Sequence, residues 1–325
     1  MAEFRPRRWL HGAHRQTLTA HFARRKGRLR YRRERWDTPD GDFLDIDFAE
    51  VDGATWADLG PTAPVVLVIH GLGGSANSGY VWDACRELAA RGIRPVAMNC
   101  RGSSGHANRG DRLYHAGDDA DPGFVLDRLH QRFDVPLGVI GYSLGGSMLL
   151  NYLGRRGAET PARLLGAVSV SSPLDLAACA VRIEQRGSRI YSRRILQHLR
   201  DLVSMREPME GGDWPAAMAA RTVRDFDEAL IAPLHGFDDA ADYYRQSSSG
   251  RILADITVPT LLLRALDDPF LDAADVSDLG PLPHVELCVQ PTGGHVGFVH
   301  LGRRGFEFWG ERRASSWLAE RLIGA

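Results

Sequence analysis

The sequence predicts an α/β fold: a mostly parallel central sheet flanked by helices, with a helical insertion between two of its later strands. Three observations carry this. Short apolar runs alternate with segments of helical period from residue 65 to residue 171, a rhythm that calls for right-handed crossovers and parallel strands. The pentapeptide Gly141-Tyr142-Ser143-Leu144-Gly145 lies between one such run and one such helical segment. After Pro173 the rhythm stops, and it resumes only at Thr260.

Residues 29–36 and 43–48 form a predicted hairpin around Thr38-Pro39-Asp40-Gly41-Asp42, where proline presets one dihedral and glycine takes the positive one. A Gly/Pro/Thr-rich connector, residues 59–64, leads into Val65-Val66-Leu67-Val68-Ile69. A continuous apolar run of this kind suits a central strand covered on both faces. Residues 81–91 are helical in pattern, 95–99 a strand, 121–133 helical, 135–140 a strand, 146–153 helical and 165–171 a strand. Residues 174–252 carry helical patterns only, with Ile190, Tyr191, Met205, Met209, Trp214 and Met218 among their apolar side chains. A Met- and aromatic-rich insertion of this sort is what a lid over an apolar pocket needs. Strand pattern returns at 260–265 and 285–289, and residues 312–322 close the chain as a helix. The expected division is a basic N-terminal arm (1–28) packed on the body, a core (29–172 and 253–325) and a lid (173–252).

The 325 residues are 44% hydrophobic and 25% charged, an ordinary soluble composition and long enough for a large core. No apolar run approaches a membrane span, and the N-terminus lacks the apolar segment of a secretory signal. Cys85, Cys100, Cys179 and Cys288 have no paired spacing, which suggests reduced thiols in a cytoplasmic protein. The formal net charge is −1, yet residues 1–35 hold 12 Lys+Arg against 2 Asp+Glu. Such an arm attracts anionic surfaces. Here Trp9, Leu10, Leu18, Phe22 and Tyr31 interrupt the charges, so the arm is expected to dock on its own acidic body, with at most peripheral membrane contact and no nucleic acid as partner.

The strand–G-x-S-x-G–helix context makes Ser143 a candidate nucleophile at the tip of a sheet, with a helix N-terminus behind it. A serine hydroxyl needs a base, and the base needs a carboxylate to fix its tautomer. Both later strand ends supply one. Leu266-Asp267-Asp268-Pro269-Phe270 follows the first, and Pro291-Thr292-Gly293-Gly294-His295 follows the second. His295 is the candidate base, with glycines giving its loop freedom to reach Ser143. Asp268 is the candidate orienting acid, with Asp267 in reserve. Oxyanion donors are expected from the backbone N–H groups of Leu144 and of Leu72, the latter in His70-Gly71-Leu72-Gly73-Gly74. His106, His115, Asp118 and Asp119 lie close in sequence, but their segment leads into a helix. No metal and no cofactor is expected, and His11, His14, His198 and His284 receive no role.

The chain resembles the α/β hydrolases, and within them the YheT-type esterases, which are related to eukaryotic α/β-hydrolase-domain lipases and yeast medium-chain ester synthases/esterases. The resemblance rests on Trp9-Leu10, His14-Arg15-Gln16-Thr17, the His70–Gly74 turn, Asn99-Cys100-Arg101-Gly102-Ser103-Ser104-Gly105, Tyr114-His115-Ala116-Gly117, and the elbow with Gly146. Phe226-Asp227, Gly236-Phe237, Tyr243-Tyr244, Asp267-Asp268-Pro269 and Gly293-Gly294-His295-Val296-Gly297-Phe298 complete it. It implies the α/β-hydrolase fold and serine-dependent hydrolysis of small-molecule acyl esters of short to medium chain. Acyl transfer to an alcohol and thioester hydrolysis would use the same groups, and a catalytically silent binding protein is the alternative of another class. Several eukaryotic relatives have a membrane-anchoring N-terminus; with a basic arm in that place, membrane residence is not among the expectations carried over.

Overall fold

The computed structural model describes residues 4–24, 29–51, 56, 58–206, 208, 210–277, 279–303 and 305–324. Met209 of the insertion, and residues 1–3 and 25–28 of the basic arm, therefore lie outside the described residues. The chain begins with helix α1 (Ala13–Ala23) and the hairpin β1 (Arg30–Asp37) and β2 (Phe43–Glu50). Then follow β3 (Val65–Ile69), α2 (Gly79–Ala89), β4 (Arg94–Asn99), α3 (Ala120–Arg132), β5 (Leu137–Tyr142), α4 (Leu144–Arg156) and β6 (Leu164–Val170). The insertion comprises α5 (Leu176–Ile183), α6 (Arg189–Ser204), α7 (Trp214–Ala219), α8 (Val223–Phe226), a π-helical turn (Asp227–Ile231), α9 (Ala232–Leu234) and α10 (Ala240–Ser247). The chain finishes with β7 (Thr260–Ala265), α11 (Ala274–Ser277), β8 (Val285–Gln290), a hairpin β9 (Val299–Gly302) and β10 (Gly305–Phe308), and α12 (Trp309–Leu322).

Among the described residues the main sheet has eight strands in the order β1-β2-β4-β3-β5-β6-β7-β8. β2 is antiparallel to both β1 and β4, and the other pairings are parallel. Two apolar layers cover its faces. Val65, Leu67 and Ile69 enter the layer that holds Leu149 and Leu153 of α4. Val66 and Val68 enter the layer that holds Leu88 of α2 and Leu318 of α12. The period-2 alternation of a strand thus splits one apolar run between two cores. The hairpin turn closes through Gly41 N–H to Thr38 O at 3.0 Å, with Gly41 at φ +83°.

The structure differs from the sequence reading in several places, among them the unpredicted helices α1 and α11. The β9–β10 hairpin was not anticipated, because each strand is only four residues long. The basic arm also departs from it in detail. Leu10 is buried and the Tyr31 hydroxyl donates to Ala76 O at 2.6 Å, but Trp9 is 51% exposed and Phe22 78%, and Leu18 is exposed too. The reason is helical: α1 turns Gln16 and Ala20 inward, and the 3.6-residue period then points Leu18 and Phe22 outward.

The Asn99–Gly105 segment is a polar anchor. Arg101 is buried and binds Asp121 through two bonds (2.8 and 2.7 Å) and Asp42 at 3.0 Å. Asn99 donates to Asp45 O and Asp47 Oδ2 and accepts from Ala76 N–H. Arg101→Met should destabilise the protein by roughly 3–5 kcal/mol in urea unfolding, because two buried carboxylates would lose their counter-charge.

Candidate active site

Ser143 stands at φ +51°, between the end of β5 and the first residue of α4. Its glycine neighbours leave no room for side chains. A Cβ on Gly141 would lie 2.6 Å from Gly145 O, one on Gly145 would collide with His70 O, and one on Gly146 would collide with Ser172 Oγ. Ser143 N–H donates to Val170 O at 2.8 Å, which ties the turn to β6. The loop after β3 crosses directly in front: a Cβ on Gly71 would sit 3.0 Å from Ser143 Cβ.

The structure brings the three sequence candidates together. His295 Nε2 lies 2.9 Å from Ser143 Oγ, and His295 Nδ1 lies 2.9 Å from Asp268 Oδ2. Asp268 is fully buried, and its other oxygen accepts the Phe270 N–H at 2.8 Å. With Nδ1–H donating to the Asp268 carboxylate, Nε2 offers a lone pair to the serine hydroxyl. Asp267 takes a different place. Its carboxylate accepts the Thr292 hydroxyl at 2.6 Å and the Gly293 and Gly294 N–H groups at 2.8 Å each. It is bonded to the base of the histidine loop rather than to the imidazole. The sequence favours Asp268 because the Pro-Phe turn directly follows it, and holds Asp267 in reserve; nothing in it points to the bonds Asp267 makes to the loop base.

The turn after β3 shows which donors are spare. Gly71 N–H goes to Tyr80 Oη (2.9 Å), Gly73 N–H to Tyr114 Oη (3.2 Å) and Gly74 N–H to Gly71 O (3.0 Å). The Leu72 N–H between them has no acceptor among the described residues. The same holds for Leu144 N–H at the first position of α4, where a helix leaves its N–H groups open and favours negative charge. His70 fixes this turn. Its ring is fully buried, with Nδ1 2.7 Å from Gly71 O, and its Nε2 accepts the Cys100 N–H at 3.1 Å. Those contacts require the neutral Nδ1–H tautomer, and burial pushes its pKa down to about 4.

Helix α6 of the insertion lies across the site. A Cβ on Gly73 would meet the His198 ring at 3.2 Å. Tyr191 packs edge-on against Phe270 (5.0 Å between centroids), and Phe270 lies 4.3 Å from the His295 ring. His198 thus abuts the spare-donor turn, a contact invisible in sequence because it spans more than a hundred residues. The other clustered groups do not converge on Ser143. Asp118 pairs with Arg112 and accepts the Asp121 N–H, while His115 packs edge-on against Phe237 and Tyr243 and tilted against His235. Among the described residues no group of three or more His, Cys, Asp or Glu side chains is arranged to hold a metal.

Residues 64–300 match the family described as the alpha/beta hydrolase fold. The chain belongs to the α/β-hydrolase family. YheT of Escherichia coli, which is named as an esterase, is 36% identical over 327 residues, covering 99% of this chain and 94% of the relative. A mouse phospholipase is 29% identical over 300 residues, covering 90% and 72%. A Saccharomyces cerevisiae monoacylglycerol lipase is 30% identical over 273 residues, covering 80% and 58%. Among solved structures, a Pyrococcus furiosus esterase superposes with a TM-score of 0.59 at 16% identity, covering 90% of this chain and 92% of that one. That likeness is one of fold.

His70 supplies a pH test of this hydrolase. Its pKa in the folded state is below that of the unfolded chain, so the folded state binds fewer protons. The stability contributed by the neutral ring is full above about pH 6.5 and is lost as pH falls towards 4. Urea unfolding at pH 7 and 4.5 should show wild type losing on the order of 2 kcal/mol more than His70→Asn.

Proposed function

We propose that this α/β hydrolase is a serine-dependent carboxylic ester hydrolase acting on small acyl esters of short to medium chain length. The reading is carried by the hydrogen-bonded series Ser143 Oγ–His295–Asp268 beside two spare backbone donors. Ser143 Oγ attacks the ester carbonyl carbon while His295 Nε2 takes the hydroxyl proton. Asp268 holds the Nδ1 proton and stabilises the imidazolium. The Leu72 and Leu144 N–H groups bind the oxyanion of the tetrahedral intermediate, each worth on the order of 10²-fold in rate. His295 returns the proton to the leaving alcohol, and a water activated by the same nitrogen then resolves the acyl-enzyme. No metal or cofactor enters these steps.

The names of the relatives support the ester class, since esterase and monoacylglycerol lipase both describe cleavage of an acyl ester. Apolar side chains at the site support an acyl group as the bound portion. Leu72, Leu144 and Ile195 border one core, while Phe270 and Leu271 form a small cluster with Ile183. In this reading residues 173–252 are the lid, residues 29–172 and 253–325 the catalytic body, and residues 1–28 an arm on that body. The four free cysteines fit a reducing, cytoplasmic setting. Among the described residues no helix is long and apolar enough to cross a membrane.

Ser143→Ala should abolish both hydrolysis of p-nitrophenyl butyrate and covalent labelling by a fluorophosphonate; continued labelling would assign the nucleophile elsewhere. Asp268→Asn should lower kcat by roughly 10³- to 10⁴-fold through the wrong imidazole tautomer. Asp267→Asn, which leaves the imidazole contact in place, should cost about tenfold or less. A reversed ranking of the two aspartates in steady-state kinetics would exchange their roles.

A further inference from the structure

The loop that presents His295 is strained, and α1 holds it. Val296 and Phe298 have φ of +52° and +43°, an uncommon conformation for any side chain and an outlier for a β-branched one. Such backbone persists only where its surroundings over-determine it. Besides Ser171, whose Oγ accepts the Val296 N–H at 3.1 Å, the determinants come from a helix nearly three hundred residues away. The Thr17 hydroxyl donates its proton to Ala13 O at 2.8 Å, which leaves a lone pair aimed outward, and His295 N–H donates to it at 2.9 Å. Gln16, fully buried, accepts the Val299 N–H at 2.8 Å and donates back to Val299 O at 3.0 Å. Its amide also donates to Leu10 O at 3.0 Å, so its orientation is fixed from both sides. Arg24 at the end of the helix donates to Val296 O at 3.0 Å.

The glycines of this loop fit the same picture. A Cβ on Gly294 would lie 2.5 Å from Ala13 O and 2.6 Å from Thr17 Oγ1, and one on Gly297 would lie 3.0 Å from Gln16 O. Their absence of side chains admits α1 against the loop, which is a more specific role than general freedom to bend.

We propose that Gln16 and Thr17 are positioning residues for His295: from α1 they hold the imidazole at the distance from Ser143 Oγ and Asp268 that proton transfer requires. The inference rests on the Ser143–His295–Asp268 reading above. A displacement of a reacting group by about 1 Å can cost 10²-fold in rate, so loosening one anchor should act on turnover rather than on substrate binding.

The test uses the full chain and counts active sites by fluorophosphonate titration, so that kcat refers to folded enzyme only. Thr17→Val preserves shape and removes the hydroxyl; Gln16→Leu removes both bonds to Val299. Each should lower kcat per titrated site by about tenfold or more with KM within about twofold of wild type, and Thr17→Ser should restore most of the loss. Unchanged kcat per site in both variants, whether or not fewer sites titrate, overturns the positioning role. Ser143→Ala is run alongside. If it is unlabelled while Thr17→Val and Gln16→Leu turn over normally, the inference fails and the nucleophile reading stands. If it is labelled, the nucleophile reading fails first.

Discussion

A serine with φ +51° at the junction of a buried strand and a helix is the constraint around which the other parts are arranged. Such a backbone costs on the order of 1–3 kcal/mol and must be held. It is held by contact: β3 and its turn press on one side, the first turn of α4 on the other, and β6 receives the serine N–H. Every side chain removed at Gly71, Gly141, Gly145 and Gly146 is one that the crowding excludes. The same crowding brings the Leu72 segment and the α4 N-terminus to the same spot. The Ser143 hydroxyl and the open N–H groups therefore come together through one packing problem.

Around that fixed point most backbone N–H groups of the two flanking loops have a partner. The turn after β3 spends three of its N–H groups on internal partners. In the histidine loop, Gly293 and Gly294 N–H go to Asp267, His295 N–H to Thr17, Val296 N–H to Ser171 Oγ, and Phe298 N–H to Gly293 O. A buried backbone donor left over would cost free energy, so donors without a partner at the rim of the sheet stand out. The insertion adds the roof: α6 brings His198 to Gly73 and Tyr191 to Phe270.

Much of this was legible in the sequence, for identifiable reasons. The parallel strands could be read because burial on both faces forces continuous apolar runs, as in residues 65–69. Ser143, Asp268 and His295 could be singled out because each follows a strand end, and strand ends of a parallel sheet converge on one rim. The parts that escaped depend on contacts remote in sequence. The anchoring of the His295 loop by Gln16 and Thr17 spans nearly the whole chain. The Arg101–Asp121–Asp42 cluster uses residues that look solvent-facing until they are seen paired. The bonds from Asp267 to Thr292, Gly293 and Gly294 likewise join segments 25 to 27 residues apart. The mean pattern of α1 is barely amphipathic, because its inward face is built around a glutamine rather than around apolar side chains.

The arginine-rich stretch ending in β1 also acquires a plainer purpose. β1 is one outer margin of the main sheet, and an outer strand carries unpaired N–H and C=O groups that can recruit a strand from another molecule. Along this margin stand Arg30, Arg32, Arg33 and Arg35, with Arg33 and Arg35 clasping Asp47 and Asp45 of β2. Arg32 pairs with Glu34 of the same strand, so the margin carries bulky, internally paired ions rather than free charge. A strand margin lined with long charged side chains is a poor template for edge-to-edge pairing, so the sheet can end here without recruiting another strand.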